Sequence, residues 1–173
     1  MSENRPFVLT IAGFDPSAGA GILADIKTFE QLKTYGIAIP TAYTIQTENQ
    51  FVEMEWVTIE KVLFQIELFL KAYTIKAIKI GIVSSLSDLK FIIQKIRSID
   101  SKVPIIWDTV LKSTTEFSFL EIENQQDLEF ILQAIQLITP NQDEVLKLIP
   151  NAISVEENLN YLRNHTTVLW KGG

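Results

Sequence analysis

The sequence has 173 residues, of which 47% are hydrophobic and 21% are charged, and its formal net charge is −6. These values suit one globular domain with a buried core, which we expect to span residues 1–173. The negative charge and the lack of a Lys/Arg cluster argue against a nucleic-acid partner. The chain contains no cysteine, which excludes disulfides and thiolate metal sites.

The N-terminal segment is polar and leads directly into an apolar run. It has no apolar signal-peptide stretch, and no later segment reaches membrane-spanning length without charges. We therefore expect a soluble, unexported protein that has no membrane contact and lies in the cytoplasm.

In the first half of the chain, short apolar runs alternate with stretches of helical periodicity. The last of these stretches, from Thr58 to Tyr73, has apolar residues at spacings of three and four and is a clear helix. In chain order the predicted elements are a strand at Phe7–Ala12, a helix with Ile22, Ile26, Phe29 and Leu32 on its apolar side and its end at Gly36, a strand at Ile37–Thr44, an edge strand or flap at Phe51–Val57, and the helix from Thr58.

The second half continues the alternation. Here Ser85 is the expected N-cap of one helix, and Ser154 with Glu157 forms the capping-box pattern of another. The predicted elements are a strand at Ile75–Ile80, a helix with Leu89, Ile92, Ile93 and Ile96 as its apolar stripe, a strand at Val103–Trp107, a helix at Gln125–Leu137, a short apolar run at Gln136–Thr139, a helix after Ser154, and a strand at Thr167–Trp170.

Strand–helix alternation of this kind predicts an α/β fold with a parallel sheet and helices packed on its faces. In such sheets ligands bind beyond the carboxyl ends of the strands. The residues at those predicted ends are polar or glycine: Gly13, Gln46, Gly81, Asp108, Asn141 and Lys171.

A glycine-rich segment, Gly19–Ala24, fits the dinucleotide pattern G-x-G-x-x-A and opens a helix. In a dinucleotide fold the first glycine follows the strand almost at once, whereas six residues, 13–18, intervene here and include Pro16. This disfavours dinucleotide binding, and glycines that only permit close helix–sheet packing are the other interpretation. The P-loop and protein-kinase motifs are absent from the sequence.

A longer segment, Thr10–Phe29, closely resembles the opening of the hydroxymethylpyrimidine/phosphomethylpyrimidine kinases of thiamine biosynthesis, in the ribokinase-like superfamily. The resemblance implies a three-layer α/β/α fold with a mostly parallel central sheet, use of ATP and Mg²⁺, and a possible homodimer. It continues, in the family's order, through Thr41–Thr47, Lys79–Gly81, Trp107–Val110, Ile138–Glu144 and Lys171–Gly173.

For the substrate half of the site, the resemblance implies that Gly13, Asp25, Gln46, Ile82 and Val110 line a pyrimidine pocket. A Gln amide offers both a donor and an acceptor to the edge of an aminopyrimidine, and a carboxylate accepts from its amino group. Without the resemblance, Gln46 would be interpreted as a solvent-facing loop residue. Asp25 would be interpreted as a first-turn carboxylate stabilised by the helix dipole.

For the phosphate half, the resemblance implies that Asp108 and Asn141 lie near the nucleotide phosphates and that Glu144 contacts Mg²⁺. Lys171 would approach the transferring phosphate and offset its developing charge. The alternative interpretations are a helix N-terminal carboxylate for Glu144 and a solvated surface charge for Lys171.

The sequence also departs from the family pattern. Ile82 replaces a frequent methionine and Thr109 a frequent proline, and Glu48 and Gln50 alter the flap. The loop after Val110 lacks the usual glycine.

The family's glycine-rich anion-hole segment, which carries the catalytic base, does not occur before Gly173. We therefore expect a C-terminally incomplete fold in which no catalytic base is identified. His165, the single histidine, is expected to be a surface or helix C-cap residue.

The leading hypothesis is ATP-dependent phosphorylation of 4-amino-5-hydroxymethyl-2-methylpyrimidine, of its monophosphate, or of both. A pyridoxal or pyridoxine kinase is the nearest alternative, because an aromatic alcohol would fit a similar pocket. A non-catalytic pyrimidine-binding protein is the second, since the catalytic tail is missing. A dinucleotide-dependent oxidoreductase is a third and weaker alternative.

Overall fold

The computed structural model describes residues 5–111, 119, 120, 122, 124–149 and 154–172. Within these ranges, seven strands form one sheet and six helices pack around it. The elements are β1 (Phe7–Phe14), α1 (Gly21–Gln31), β2 (Tyr35–Gln46), β3 (Phe51–Trp56), α2 (Ile59–Ala72), β4 (Ile75–Ile80), α3 (Leu86–Ile99), β5 (Ile105–Trp107), α4 (Gln125–Ala134), β6 (Leu137–Ile138), α5 (Gln142–Leu148), α6 (Val155–Arg163) and β7 (Thr167–Val168).

The strand order is β3-β2-β1-β4-β5-β6-β7, and every pairing is parallel except that of the edge strand β3 with β2. The predicted α/β fold with a mostly parallel sheet is confirmed, and so is the edge strand. The chain builds outwards from β1 to β2 and β3, then crosses to β4 on the other side of β1. A crevice forms where the strand order reverses in this way, and it is the usual ligand site of a parallel sheet.

Helices lie on both faces of the sheet. Right-handed crossovers place α1 on one face and α2, α3 and α4 on the other. The contacts agree with this, because α1 touches β1 and β2, while α2, α3 and α4 pack side by side. Thr10 of β1 faces α1, and its neighbours Leu9 and Ile11 are fully buried on the opposite face.

The core is concentrated under α3, whose N-cap was predicted correctly. The Ser85 hydroxyl accepts from the Asp88 backbone N–H at 3.0 Å, and Asp88 lies in the first helical turn, near the positive end of the helix dipole. The fully or almost fully buried residues that join this helix to the sheet are Leu9, Ile11, Ile78, Ile80, Leu89, Ile92, Ile93, Ile96 and Ile105.

The end of α1 differs from the prediction. The helix stops at Gln31, the turn after it is made by Lys33 at φ 59, and Gly36 already belongs to β2. Leu32, predicted on the apolar side, is 68% exposed because it lies beyond the last helical turn. Gly36 is needed for packing, since an added Cβ would lie 2.5 Å from the Ile26 side chain.

The region around β6 also differs from the prediction. The helix predicted to reach Leu137 ends at Ala134, and Ile135 is extended. Gln136 explains the early end, because its side chain accepts from the Ile105 backbone N–H at 2.7 Å and so fixes β6 beside β5. Helix α5 was not predicted as an element, and β7 ends at Val168 rather than Trp170.

The cap of α6 was predicted correctly, since the Ser154 hydroxyl accepts from the Glu157 N–H at 3.2 Å. His165 directly follows the C-cap of this helix, Asn164, and its side chain is partly buried, with 17% of its surface exposed. The His165 ring Nδ1–H donates to the Tyr161 carbonyl at 2.8 Å. No helix in the described part of the chain is both long and apolar enough to cross a membrane.

The close approach of α1 to β2 yields a stability prediction. Gly36→Ala places a methyl group against Ile26 and Phe29 and should lower the free energy of unfolding by about 1–3 kcal/mol through overpacking. Gly172→Ala is the matched control, because nothing lies within 4 Å of its added Cβ. Urea denaturation of both variants checks this; equal midpoints would contradict the packing described.

Candidate functional site

A cavity of about 570 Å³ opens at the carboxyl ends of the central strands. All five residues predicted for the substrate side line it, together with Asp108 from the predicted phosphate side. The lining is formed by Ala12, Gly13, Asp15, Ser17, Gly19, Ala20, Gly21, Ala24, Asp25, Thr44, Gln46, Thr47, Glu48, Phe51, Lys79, Gly81, Ile82, Asp108, Val110 and Phe119.

One wall of the cavity is the glycine-rich loop, which the buried carboxylate of Asp15 holds in place. One Asp15 oxygen accepts from the Ser17 N–H at 2.8 Å and the Ser17 hydroxyl at 2.7 Å. The other accepts from the N–H groups of Gly19 at 3.1 Å and Ala20 at 3.0 Å. Burial raises the pKa of Asp15, but hydrogen bonds from Ser17, Gln46 and Ala20 outweigh it and hold that pKa below its ordinary value.

The same loop enters α1 through Gly21, which has φ +62, a conformation that favours glycine. An added Cβ there would lie 2.2 Å from the Gly13 carbonyl oxygen, which is a backbone atom that cannot swing aside. The glycine therefore lets the helix start directly against the end of β1. This is a different use of the glycines from the dinucleotide pattern considered above.

The opposite wall comes from the hairpin of β2 and β3. Gln46 is the last residue of β2, and the turn after it is closed by the Thr47 N–H, which donates to the Gln50 carbonyl at 2.8 Å. The ring of Phe51 lies edge-on to the ring of Phe119, with centroids 6.3 Å apart. The segment predicted as an edge strand or flap is an edge strand of the sheet, and its first residue, Phe51, lines the cavity.

A row of alternating charges begins at the floor of the cavity with Asp25, predicted for the substrate side, and ends beside the cavity at Glu144, predicted for the phosphate side. The Lys79 ammonium lies 3.0 and 2.9 Å from the two Asp25 oxygens and 3.3 Å from Asp108 Oδ2. Lys171 contacts the other Asp108 oxygen at 2.9 Å and lies 3.9 Å from Glu144. Two cations therefore separate three carboxylates.

The charge of Asp108 is stabilised by these neighbours. Burial raises its pKa, but the charge of Lys79, the hydrogen bond and charge of Lys171, and a hydrogen bond from Thr139 at 3.0 Å hold the pKa below its ordinary value. Asp108 is thus ionised at neutral pH and presents an anion between two lysines.

Asn141 and Glu144 form a capping box at the start of α5. Glu144 Oε2 accepts from the Asn141 N–H at 2.8 Å, and Asn141 Oδ1 accepts from the Glu144 N–H at 2.9 Å. Thr109, where the family often has proline, donates its hydroxyl to Glu144 at 3.2 Å. Burial raises the pKa of Glu144 despite these bonds and the nearby Lys171 charge.

The structure brings the predicted site residues together in two connected groups. Gly13, Asp25, Gln46, Ile82 and Val110 share the cavity, and Asp108 links them through Lys171 to Glu144 beside it. The roles implied for these residues stay predictions.

The structure agrees with one of the alternative interpretations given for Glu144 and Asp25 and contradicts the other. The helix N-terminal interpretation of Glu144 describes its contacts correctly. Asp25 is not a first-turn carboxylate, because α1 begins at Gly21 and Asp25 lies in its second turn, where it pairs with Lys79 instead.

Asp15 and Lys79 are charged residues of the site to which the sequence analysis assigned no role. The sequence around Asp15 indicated a turn, because an Asp side chain often accepts a hydrogen bond from the backbone two residues later, here at Ser17. Lys79 is a charged residue within the mostly apolar strand Ile75–Ile80, which indicated that it has a partner of opposite charge. Both signals were visible in the sequence, but neither names a partner.

The departures from the family pattern also have a place in the structure. Ile82 packs against Gly13, and Glu48 lines the cavity at the tip of the hairpin. The loop that follows Val110 falls largely in residues 112–118, outside the described part of the chain. Among the described residues, no group of three or more metal-ligating side chains is clustered as a preformed metal site.

Comparison with known proteins gives consistent matches. The family model of phosphomethylpyrimidine kinase matches residues 15–173. The chain is 31% identical to the hydroxymethylpyrimidine/phosphomethylpyrimidine kinase of Aquifex aeolicus, with 95% of the chain and 67% of that protein aligned. The corresponding kinase of Escherichia coli is 30% identical, over 95% of the chain and 65% of the protein.

Solved structures agree with the sequence matches. The phosphomethylpyrimidine kinase of Clostridium difficile superposes with a TM-score of 0.83 at 29% identity, covering 98% of this chain and 76% of the other. The pyridoxal kinase of Staphylococcus aureus bound to pyridoxal gives 0.82 at 26% identity, covering 98% and 66%. The chain thus spans about two thirds to three quarters of the length of these stand-alone kinases.

The fold is that of a small-molecule kinase with a ribokinase-like sheet. Within that class, the chain belongs to the phosphomethylpyrimidine kinase family, whose curated members here are phosphotransferases of thiamine biosynthesis. The family resemblance seen in the sequence is therefore confirmed.

The bonds of Asp15 predict a pH-dependent contribution to stability. Because its folded pKa lies below its unfolded pKa of about 3.9, its charge stabilises the fold fully above that pH and less as the pH falls through the folded pKa. Asp15→Asn should therefore cost about 1–3 kcal/mol at pH 7, and the difference from the unaltered protein should shrink below about pH 4. Urea denaturation across this pH range measures it; a difference that does not change with pH would refute the charge assignment.

The conformation of the loop predicts contrasting effects of two alanines. Gly21→Ala combines a strained φ with a backbone clash and should cost about 2 kcal/mol or more. Gly19→Ala is the matched control two residues earlier, because its added Cβ meets only ordinary contacts at 3.7 Å. Thermal denaturation of both variants decides the matter, and similar losses would show that the loop has a different backbone.

Proposed function

We propose that the protein phosphorylates the hydroxymethyl group of an aminopyrimidine, with ATP as phosphoryl donor, and that it acts on 4-amino-5-hydroxymethyl-2-methylpyrimidine or its monophosphate. The observation that carries the proposal is the continuity of the cavity. Gln46 and Asp25 lie on one side of it and Asp108 on the other, linked by Lys79 and followed by Lys171.

Pyrimidine recognition would rely on a small number of polar groups. Gln46, at the end of β2, supplies an amide donor and acceptor to the ring edge, and Asp25 supplies an acceptor for the amino group. Gly13, Ile82 and Val110 would form the apolar surfaces on which the ring rests. These assignments follow the family resemblance, and the shared cavity supports them.

At the other side, Lys171 would contact the phosphoryl group in transfer. Its side chain is 38% exposed, so it can reach a ligand while retaining its contact with Asp108. Its charge would offset the negative charge that develops on the transferring phosphate. Asp108 and Asn141 would lie along the nucleotide phosphates.

Magnesium is the cation that a kinase of this kind would use, and Glu144 fits it. Burial raises the Glu144 pKa, which means that its negative charge is incompletely balanced, and hard cations take carboxylate oxygens while retaining waters. When bound, the metal would offset charge on the nucleotide phosphates. The homodimer, the cytoplasmic location and a single kinase domain over residues 1–173 stay predictions.

Pyridoxal phosphorylation is the second candidate, favoured by the structural likeness to the Staphylococcus aureus pyridoxal kinase. A non-catalytic pyrimidine-binding protein is the third candidate. The three candidates make different predictions for the same purified protein.

The decisive measurement is ADP release with ATP and Mg²⁺ in the presence of the aminopyrimidine alcohol, its monophosphate or pyridoxal. We expect release with the pyrimidines. Release with pyridoxal alone would favour the second candidate, and calorimetric pyrimidine binding without turnover would favour the third.

Gln46→Ala should weaken pyrimidine binding about tenfold or more, because a ring polar group then loses its partner. Gln133→Ala, at an exposed position of α4, is the matched control and should bind like the unaltered protein. Unchanged affinity in the Gln46 variant would remove this residue from the pocket.

A further inference from the structure

Lys79 occupies an unusual position in the site. It is a charged residue in the central strand β4, its side chain is only 21% exposed, and it lies within the cavity. A buried ammonium is costly unless it is paired and hydrogen-bonded, so its surroundings should show what holds it.

Carboxylates from two different elements hold this ammonium. Both oxygens of Asp25, from α1, lie at about 3 Å, and one oxygen of Asp108, from the end of β5, lies at 3.3 Å. An ammonium has three N–H donors and no acceptor. Two hydrogen bonds go to Asp25, and the Asp108 oxygen is close enough for an ion pair.

The two carboxylates are themselves fixed by other partners. Asp25 Oδ2 also accepts from the Thr10 hydroxyl at 2.6 Å, and Asp108 Oδ1 accepts from Thr139 and Lys171. Their side chains are 17% and 26% exposed, so solvent screens their mutual repulsion only in part. Removing the ammonium would leave two partly buried anions facing each other without a cation between them.

Lys171 provides a contrast within the same site. It is more exposed, contacts Asp108 through one hydrogen bond at 2.9 Å, and reaches Glu144 only at 3.9 Å. Its donors are thus less fully used than those of Lys79. Lys79 therefore has two hydrogen bonds and a further ion pair to protein carboxylates, whereas Lys171 has one hydrogen bond and retains donors for a ligand anion.

We propose that Lys79 is a positioning residue that joins the pyrimidine side of the site to its phosphate side by holding Asp25 and Asp108 at the same time. It does not itself bind the phosphate. The proposal rests on the function proposed above and assigns different roles to Lys79 in the cavity and Lys171 beside it. Loss of Lys79 should disturb both ligand sites, whereas loss of Lys171 should disturb one.

The binding test uses Lys79→Met, Lys171→Met and Lys76→Met, the last being an exposed lysine of the same strand. Calorimetry measures the affinity for the aminopyrimidine alcohol alone and for ADP with Mg²⁺ alone. Lys79→Met should weaken both about tenfold or more, Lys171→Met should weaken the nucleotide alone, and Lys76→Met should weaken neither. A Lys79 variant that loses affinity for one ligand only, or for none, overturns the proposal.

A ligand-free measurement separates this proposal from the proposed function. With lysine labelled with ¹³C at Cε, the Lys79 resonance is assigned by its absence in Lys79→Met. Asp25→Asn and Asp108→Asn should each shift it, and Lys76→Met should not. If the unaltered protein binds neither ligand, the proposed function fails, while the resonance still tests whether Lys79 contacts both Asp25 and Asp108. A resonance that shifts in only one of the two aspartate variants refutes the proposal that Lys79 holds both carboxylates.

Discussion

The position of β1 in the sheet determines where the polar residues of this protein gather. Its neighbours β2 and β4 run parallel to it on opposite sides, and the carboxyl ends of all three open onto one crevice. Every other feature of the site depends on this arrangement. The glycine-rich loop leaves from the end of β1, the hairpin wall rises from the end of β2, and the charged floor is placed by β4 and β5.

Much of the fold could be predicted from the sequence because several central strands are short and mostly apolar, as is typical of a parallel sheet covered by helices. The predicted bounds of Ile75–Ile80 are those of β4, although this strand also contains Lys76 and Lys79. The predicted ends of elements were wrong where a side chain bonds to a residue that is distant in sequence and so fixes the local backbone. Gln136 ends α4 early because it bonds to Ile105, a residue of another strand, and no local pattern shows that contact.

The sequence predicted several of the residues that lie at the cavity, but not which of these residues contact one another. Gly13, Gln46 and Asp108 follow predicted strands, and the family resemblance placed them in one site before their proximity was known. The contact between Asp25 and Lys79 could not be inferred, because Lys79 lies 54 residues later in the chain. Asp25 belongs to α1 and Lys79 to β4, so the two meet only in the folded protein. The family pattern also marked Thr109 as a departure, but its bond to Glu144 appears only when β5 and α5 are placed side by side.

The separation in sequence of the charged partners also bears on how the site forms. Four of the hydrogen bonds to Asp15 come from residues within five positions, so most of its loop can form locally even though Gln46 also bonds to it, whereas Lys171 reaches Asp108 across 63 positions. Contacts of such long range form only once the intervening strands are assembled. Ligand binding and global folding are consequently linked equilibria: a molecule that binds between the lysines binds the native state and not the unfolded chain. Such a ligand should raise the melting temperature of the whole domain, by an amount that grows with the logarithm of its concentration divided by its Kd, even if it is never turned over.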